Sequence, residues 1–158
     1  MSKLALAQQL LTQLGRALSL DSLALDEKSQ SCVLLFDDQL VVNIEFDSQT
    51  DRLVFSAYLH EIPAQGAESL LRELMSANLS WHRTGGATLC LEEGTGGVIL
   101  VYGHSVGELD SASVEAVLEN FVNQAQKWGG RLKKLVVEVG ASIDSGGVLP
   151  SAGSVVYG

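Results

Sequence analysis

Two hydrophobic periods alternate along this chain, and their order predicts its elements. Between Lys3 and Leu18, the residues Leu4, Ala7, Leu11, Leu14 and Leu18 return at steps of three and four, with Leu10 widening the stripe. That spacing puts one apolar face on an amphipathic helix, and Ser2 stands where a side-chain cap belongs. Gly15 interrupts the pattern at a cost of about 1 kcal/mol relative to Ala, so it marks either close packing or the approaching helix end. Asp21 to Leu25 reads as a short connection or strand.

The period then changes to two. Ser31–Phe36, Gln39–Asp47 and Arg52–Leu59 read as strands, separated by Asp37-Asp38 and by Ser48-Gln49-Thr50-Asp51. Turn-forming residues in those gaps predict two consecutive hairpins. In the second strand Leu40, Val42, Ile44 and Phe46 share one face, and Val41, Asn43, Glu45 and Asp47 share the other. Pro63 is expected to start a second helix, with Glu68 in its early turns. Its stripe is Ala67, Leu70, Leu71, Leu74, Met75 and Ala77, and Asn78 is its expected terminator. Two further strands, Ala87–Glu92 and Val98–Tyr102, flank the glycine-rich turn Gly94 to Gly97. A third and longest helix begins at Asp110 or Ser111 and carries Val114, Val117, Leu118, Phe121, Ala125 and Trp128. Gly129-Gly130 is expected to interrupt it, with Leu132 to Val139 continuing as helix or as strand.

This order predicts an α+β fold: a five- to six-stranded, largely antiparallel twisted sheet with three helices, in the sequence α-βββ-α-ββ-α. Residues 1–139 form the expected domain, and the Gly- and Ser-rich residues 140–158 a flexible tail. At 158 residues the chain is long enough to bury a core without disulfides. No apolar run approaches the roughly 20 residues that span a bilayer. No signal-peptide pattern opens the chain, so the expected location is the cytoplasm. Cys32 and Cys90 are expected as buried free thiols, which suits a reducing compartment.

The formal net charge is −9, and its placement narrows the partners. Ten acidic residues lie between Asp21 and Leu71 against only Lys28 and Arg52. Affinity for phosphate backbones depends on clustered Lys and Arg, so nucleic acid is an improbable ligand, whereas a polypeptide is electrostatically allowed.

Catalytic patterns are weak. His60, His82 and His104 stand 22 residues apart in different loops or element ends, without the pairings that metal ligation uses. Gly103-His104-Ser105-Val106-Gly107 matches G-x-S-x-G to the letter. A nucleophile elbow, however, needs a strand passing directly into a helix within a mostly parallel sheet, and Glu108-Leu109-Asp110 delays the helix. Gly94–Gly97 lacks the Lys and Ser/Thr of a phosphate-binding loop. No enzyme, metal or cofactor is expected. What stands out instead is apolar surface: three helices cannot cover both faces of five strands, and the outward positions still hold Val33, Leu35, Val41, Val54, Ile99 and Val101. Apolar area of that extent marks an interaction site.

Over roughly residues 3 to 135 the chain resembles the class I type III secretion chaperones, the CesT or Tir-chaperone family. The resemblance is carried by the element order, the small acidic chain and several local patterns. These are Leu10-Leu11-Thr12-Gln13-Leu14-Gly15, Leu34-Leu35-Phe36-Asp37, Val42-Asn43-Ile44-Glu45, the run Leu70 to Asn78, and Phe121 with Trp128. It implies a homodimer that holds the N-terminal segment of a secreted effector in extended form, keeps it soluble and delivers it to the secretion apparatus, with the secretion ATPase as a further partner. By position, the resemblance assigns effector contact to Leu4, Leu11, Val33, Leu35, Val41 and Asn43. It assigns the dimer interface to Leu71, Met75, Leu89, Leu91, Ile99 and Val101. The alternative with the same fold is a dimeric adaptor or immunity-type protein that binds a folded partner.

Overall fold

Asp37 and Asp38 both take left-handed backbone angles (φ 51° and 55°), and the Gln39 N–H donates back to the Phe36 carbonyl across them. This tight turn, of the handedness that suits twisted strands, folds Ser31–Phe36 (β1) onto Leu40–Asp47 (β2). A second turn, closed where the Asp47 carboxylate accepts from Gln49 N–H and Thr50 hydroxyl, leads into Arg52–Glu61 (β3). Thr88–Glu92 (β4) and Gly97–Ser105 (β5) form the last hairpin. The result is one sheet of five antiparallel strands in the order β1-β2-β3-β5-β4, with β1 and β4 as its edges.

In this computed structural model the backbone is described for residues 1–154 and the side chains for residues 1–144. The helices are Lys3–Ala17 (α1), Ala67–Asn78 (α2) and Ser111–Ser154 (α3). Ser2 caps α1 by accepting from Ala5 N–H at 3.1 Å. Asp110 and Ser113 cap α3 reciprocally: the carboxylate accepts from Ser113 N–H and the hydroxyl from Asp110 N–H, each at 2.8 Å. All three helices lie on one face of the sheet. There Val42, Ile44, Leu53, Phe55, Val98 and Leu100 are fully buried against Leu11, Leu14, Leu70, Phe121, Trp128 and Leu132.

Four expectations are corrected. The second helix starts not at Pro63 but at Ala67, after Gly66 turns the chain with φ 77°. A β-carbon at Gly66 would meet Val139 at 2.5 Å and Ile143 at 3.0 Å, so the late part of α3 is seated on the start of α2. The third helix passes through Gly129-Gly130 without a break. The cost of two helical glycines, about 1 kcal/mol each, is outweighed by burying Ala125 and Trp128 before them and Leu132 after them. Its backbone remains helical past Gly140 as far as Ser154, and the rest of the expected tail lies outside the described residues. Finally, Cys32 and Cys90 are free but only partly buried, and burial pushes the Cys32 thiol up to about 11. The segment Asp21–Leu25 is a connection rather than a strand, packed on α1 through Leu23 and Leu25.

Candidate interaction surfaces

The period-two pattern of the strands decides which side chains the helices leave uncovered. Register pairs Val33 with Asn43 and Leu35 with Val41 across β1 and β2, then Asn43 with Ser56, Ser56 with Val101, and Tyr58 with Ile99. These residues all stand on the face away from the helices. Val33, Leu35, Val41 and Tyr58 are each half exposed or more (61%, 58%, 50% and 52%). Val54, Ile99 and Val101 share the face and are partly covered. Cross-strand neighbours lie about 4.5–5.5 Å apart, so the exposed four make one continuous apolar surface toward the β1 edge.

Four of the residues assigned to effector contact, Val33, Leu35, Val41 and Asn43, thus adjoin one another. Leu4 is exposed on α1, beside a groove with Ala5, Gln8 and Leu25 on its walls. Leu11 is corrected: it is fully buried between α1 and the sheet and presents no surface. Its place in the stripe is the same as Leu4's, but two turns further along the helix the neighbours close over it.

The residues assigned to the dimer interface divide. Met75 lies on the outer side of α2 and Leu79 continues the row at the next step of four, each about three-quarters exposed, while Leu71 is partly buried against the core. Leu91, on edge strand β4 beside α2, is also exposed. Leu89 is corrected, because α2 buries it. Ile99 and Val101 belong to the open sheet face rather than to this end of the molecule. Sequence reading missed Leu79, Trp81 and Tyr58. Trp81 sits half exposed with φ 55°, its indole N–H donating to the Thr88 hydroxyl at 3.2 Å. The left-handed backbone at Ser80 and Trp81 that turns the indole onto β4 has no period in sequence to announce it.

Asn78 ends α2 as expected and also completes the edge of the sheet. Its side chain donates to the Leu89 carbonyl at 3.0 Å and accepts from the Leu89 N–H at 2.8 Å, standing in for a neighbouring strand. The β4 edge is therefore partly closed at its middle, and β1 is the other edge.

The catalytic candidates do not converge. His104 faces Leu53 and His60 faces Val98 across the sheet, and each ring contacts the carbonyl of its own next residue, Ser105 or Glu61. Ser105 ends an antiparallel strand, and a short turn, Val106–Glu108, separates it from α3. Among the described residues no group of three or more His, Cys, Asp or Glu side chains is placed to hold a metal ion. No helix among them is long and apolar enough to cross a membrane.

Against known proteins, the model of the Tir chaperone protein (CesT) family matches residues 9–129. The fold is similar to that of a chain in the crystal structure of the ExsC-ExsE complex, with 29% identity, a TM-score of 0.71, and coverage of 82% of this chain and 95% of that one. It is also similar to a chain in the structure of the Yersinia pestis type III secretion chaperone SycH with a fragment of YscM2 (18% identity, TM-score 0.61, covering 76% and 97%). A third likeness is to the heterodimeric ExoU-SpcU complex of the Pseudomonas aeruginosa type III secretion system (16% identity, TM-score 0.59, covering 82% and 96%). No curated protein sequence matches the chain.

Proposed function

The chain belongs to the Tir chaperone protein (CesT) family, and from that premise we propose that it is a type III secretion chaperone binding the N-terminal segment of a secreted effector in extended form. The observation that carries the reading is the uncovered sheet face, where Val33, Leu35, Val41 and Asn43 adjoin next to the β1 edge. An extended polypeptide can add main-chain hydrogen bonds at such an edge while its alternate side chains fill apolar surface. That geometry suits a client without tertiary structure, whose main chain is free to extend along the edge. The contacts must exceed the ordering cost of the client, which a long wrapped interface supplies. Similar structures include the HopA1-SchA chaperone-effector complex and the type III secretion chaperone SycH in complex with a fragment of YscM2.

The chaperone works as a homodimer in this reading. Leu71, Met75, Leu79 and Leu91 form the apolar end around α2 and β4, and a second copy covers it, with Trp81 as a large contact at its margin. Residues 1–139 make up the working domain, the protein acts in the cytoplasm, and it performs no chemistry of its own. The secretion ATPase is the recipient of the loaded complex.

Co-expression of the chain with the isolated N-terminus of a type III effector tests the reading. A stable complex should form, and Leu35→Asp with Val41→Asp should weaken it by about tenfold or more while leaving the chain folded, because both side chains are already exposed. Binding that requires the effector's folded domain, and is indifferent to those two substitutions, would instead favour an adaptor for a folded partner.

A further inference from the structure

Positive charge is scarce in this chain, yet four of its ten Lys and Arg residues surround a single pocket. Lys127, Arg131 and Lys134 follow one another at steps of four and three along one side of α3, and Arg83 reaches the same place from the loop after α2. Gly130, carrying no side chain, leaves room between them for a pocket of about 420 Å³. The buried indole of Trp128 forms the inner wall, with the Arg83 guanidinium 5.4 Å and the Lys127 ammonium 5.8 Å from its ring centre. Its N–H donates to the Arg83 carbonyl at 3.0 Å, which fixes the loop that brings Arg83 in.

Two of these cations already hold a carboxylate of the chain. Glu73, from α2, accepts from Arg83 at 2.8 Å and from Arg131 at 3.4 Å through one carboxylate oxygen. The Arg83 hydrogen bond holds its carboxyl below the usual range. One carboxylate does not balance four cations, and among the described residues Lys127 and Lys134 make no ion pair. From this we infer that the pocket is a docking site for acidic side chains of a partner polypeptide, separate from the apolar sheet face on which the client reading rests. A long polyanion such as nucleic acid fits poorly. Its charge would run past the pocket over a molecule of net charge −9, whereas a short acidic segment feels chiefly the cations within a Debye length of about 8 Å.

The test uses a fluorescein-labelled hexaglutamate peptide and the full chain, with binding read by fluorescence anisotropy at low and at physiological salt. The wild type should bind, more tightly at low salt. Lys127→Gln with Lys134→Gln should weaken binding by at least about tenfold, and Arg72→Gln, which removes an exposed cation paired with Glu68 elsewhere on α2, should leave it unchanged. Equal binding by wild type and the double variant would overturn the inference, as would equal weakening by Arg72→Gln, which means diffuse attraction without a site. Displacement of the peptide by inorganic phosphate at lower concentration than by free hexaglutamate would reassign the pocket to a small anion and overturn it too. All three substituted cations are exposed, so folding is not at stake, and none of these outcomes bears on effector binding.

Discussion

At the scale of single residues, glycines with the same sequence signature have opposite meanings. Gly15 sits inside α1, and a β-carbon there would lie 2.8 Å from the β-carbon of Leu23, an atom that cannot swing aside. Gly129 sits inside α3, where an added β-carbon meets nothing within 4 Å. Gly15→Ala should therefore lower stability by about 1–2 kcal/mol, overpacking exceeding the gain in helix propensity, while Gly129→Ala should raise it by up to about 1 kcal/mol. Denaturant midpoints of the two variants against wild type check both signs, and a stabilised Gly15→Ala would show that Leu23 gives way. Glu73 supplies a pH dependence. Its carboxyl is lowered in the folded chain from 4.5, chiefly by the hydrogen bond from Arg83. A lowered native value means that its stabilising contribution is complete above about 4.5 and is lost as the pH falls through the native value. The melting temperatures of wild type and Glu73→Gln should differ by a constant amount near neutral pH and converge in acid. A difference that persists unchanged in acid would mean that the charge is not what Arg83 and Arg131 hold.

At the scale of elements, helix ends and strand edges carry the information that periodicity lacks. Asn78 is legible in sequence as a helix terminator, but its second task, filling the hydrogen bonds of Leu89 on edge strand β4, requires α2 to lie beside that strand. Asn78→Ala removes a donor and an acceptor at once and should cost about 1–3 kcal/mol. It should also speed hydrogen exchange at the Leu89 amide more than at its strand neighbours, and an unchanged Leu89 rate would mean that another group or water takes its place. The same logic explains α3. Phe121, Ala125, Trp128 and Leu132 keep the buried stripe in phase across Gly129-Gly130, and the helix follows the stripe.

At the scale of the whole molecule, the sheet has one face under three helices and one face open, and the apolar residues on the open face need a covering. Solution mass checks the proposed dimer: about twice 16.8 kDa is expected for wild type. Met75→Glu together with Leu79→Glu should shift the mass toward the single chain, because charges in the middle of an apolar contact cost several kcal/mol when buried unpaired. A doubled mass that survives this change would move the interface off the α2 end. The basic pocket on α3 belongs to this scale as well, since its cations come from a loop and a helix far apart in sequence.

The order of elements and the two strand faces were carried by the chain's own periods, because a period of two or of 3.6 is a local property that each segment displays without its neighbours, and the family resemblance rested on that order together with the acidic charge and local residue patterns. Val33, Leu35, Val41 and Asn43 could be grouped for the same reason: alternation tells which residues share a face. Burial is another matter. Leu4 and Leu11 occupy equivalent places in one stripe, yet only packing against the sheet exposes the first and buries the second. Leu89 and Met75 were indistinguishable as apolar residues of α2 and β4 until tertiary contact put one beneath α2 and the other outside it. Which apolar side chains are left for a partner, and where four scattered cations meet, depend on distances between segments remote in sequence, and only the folded chain sets those distances.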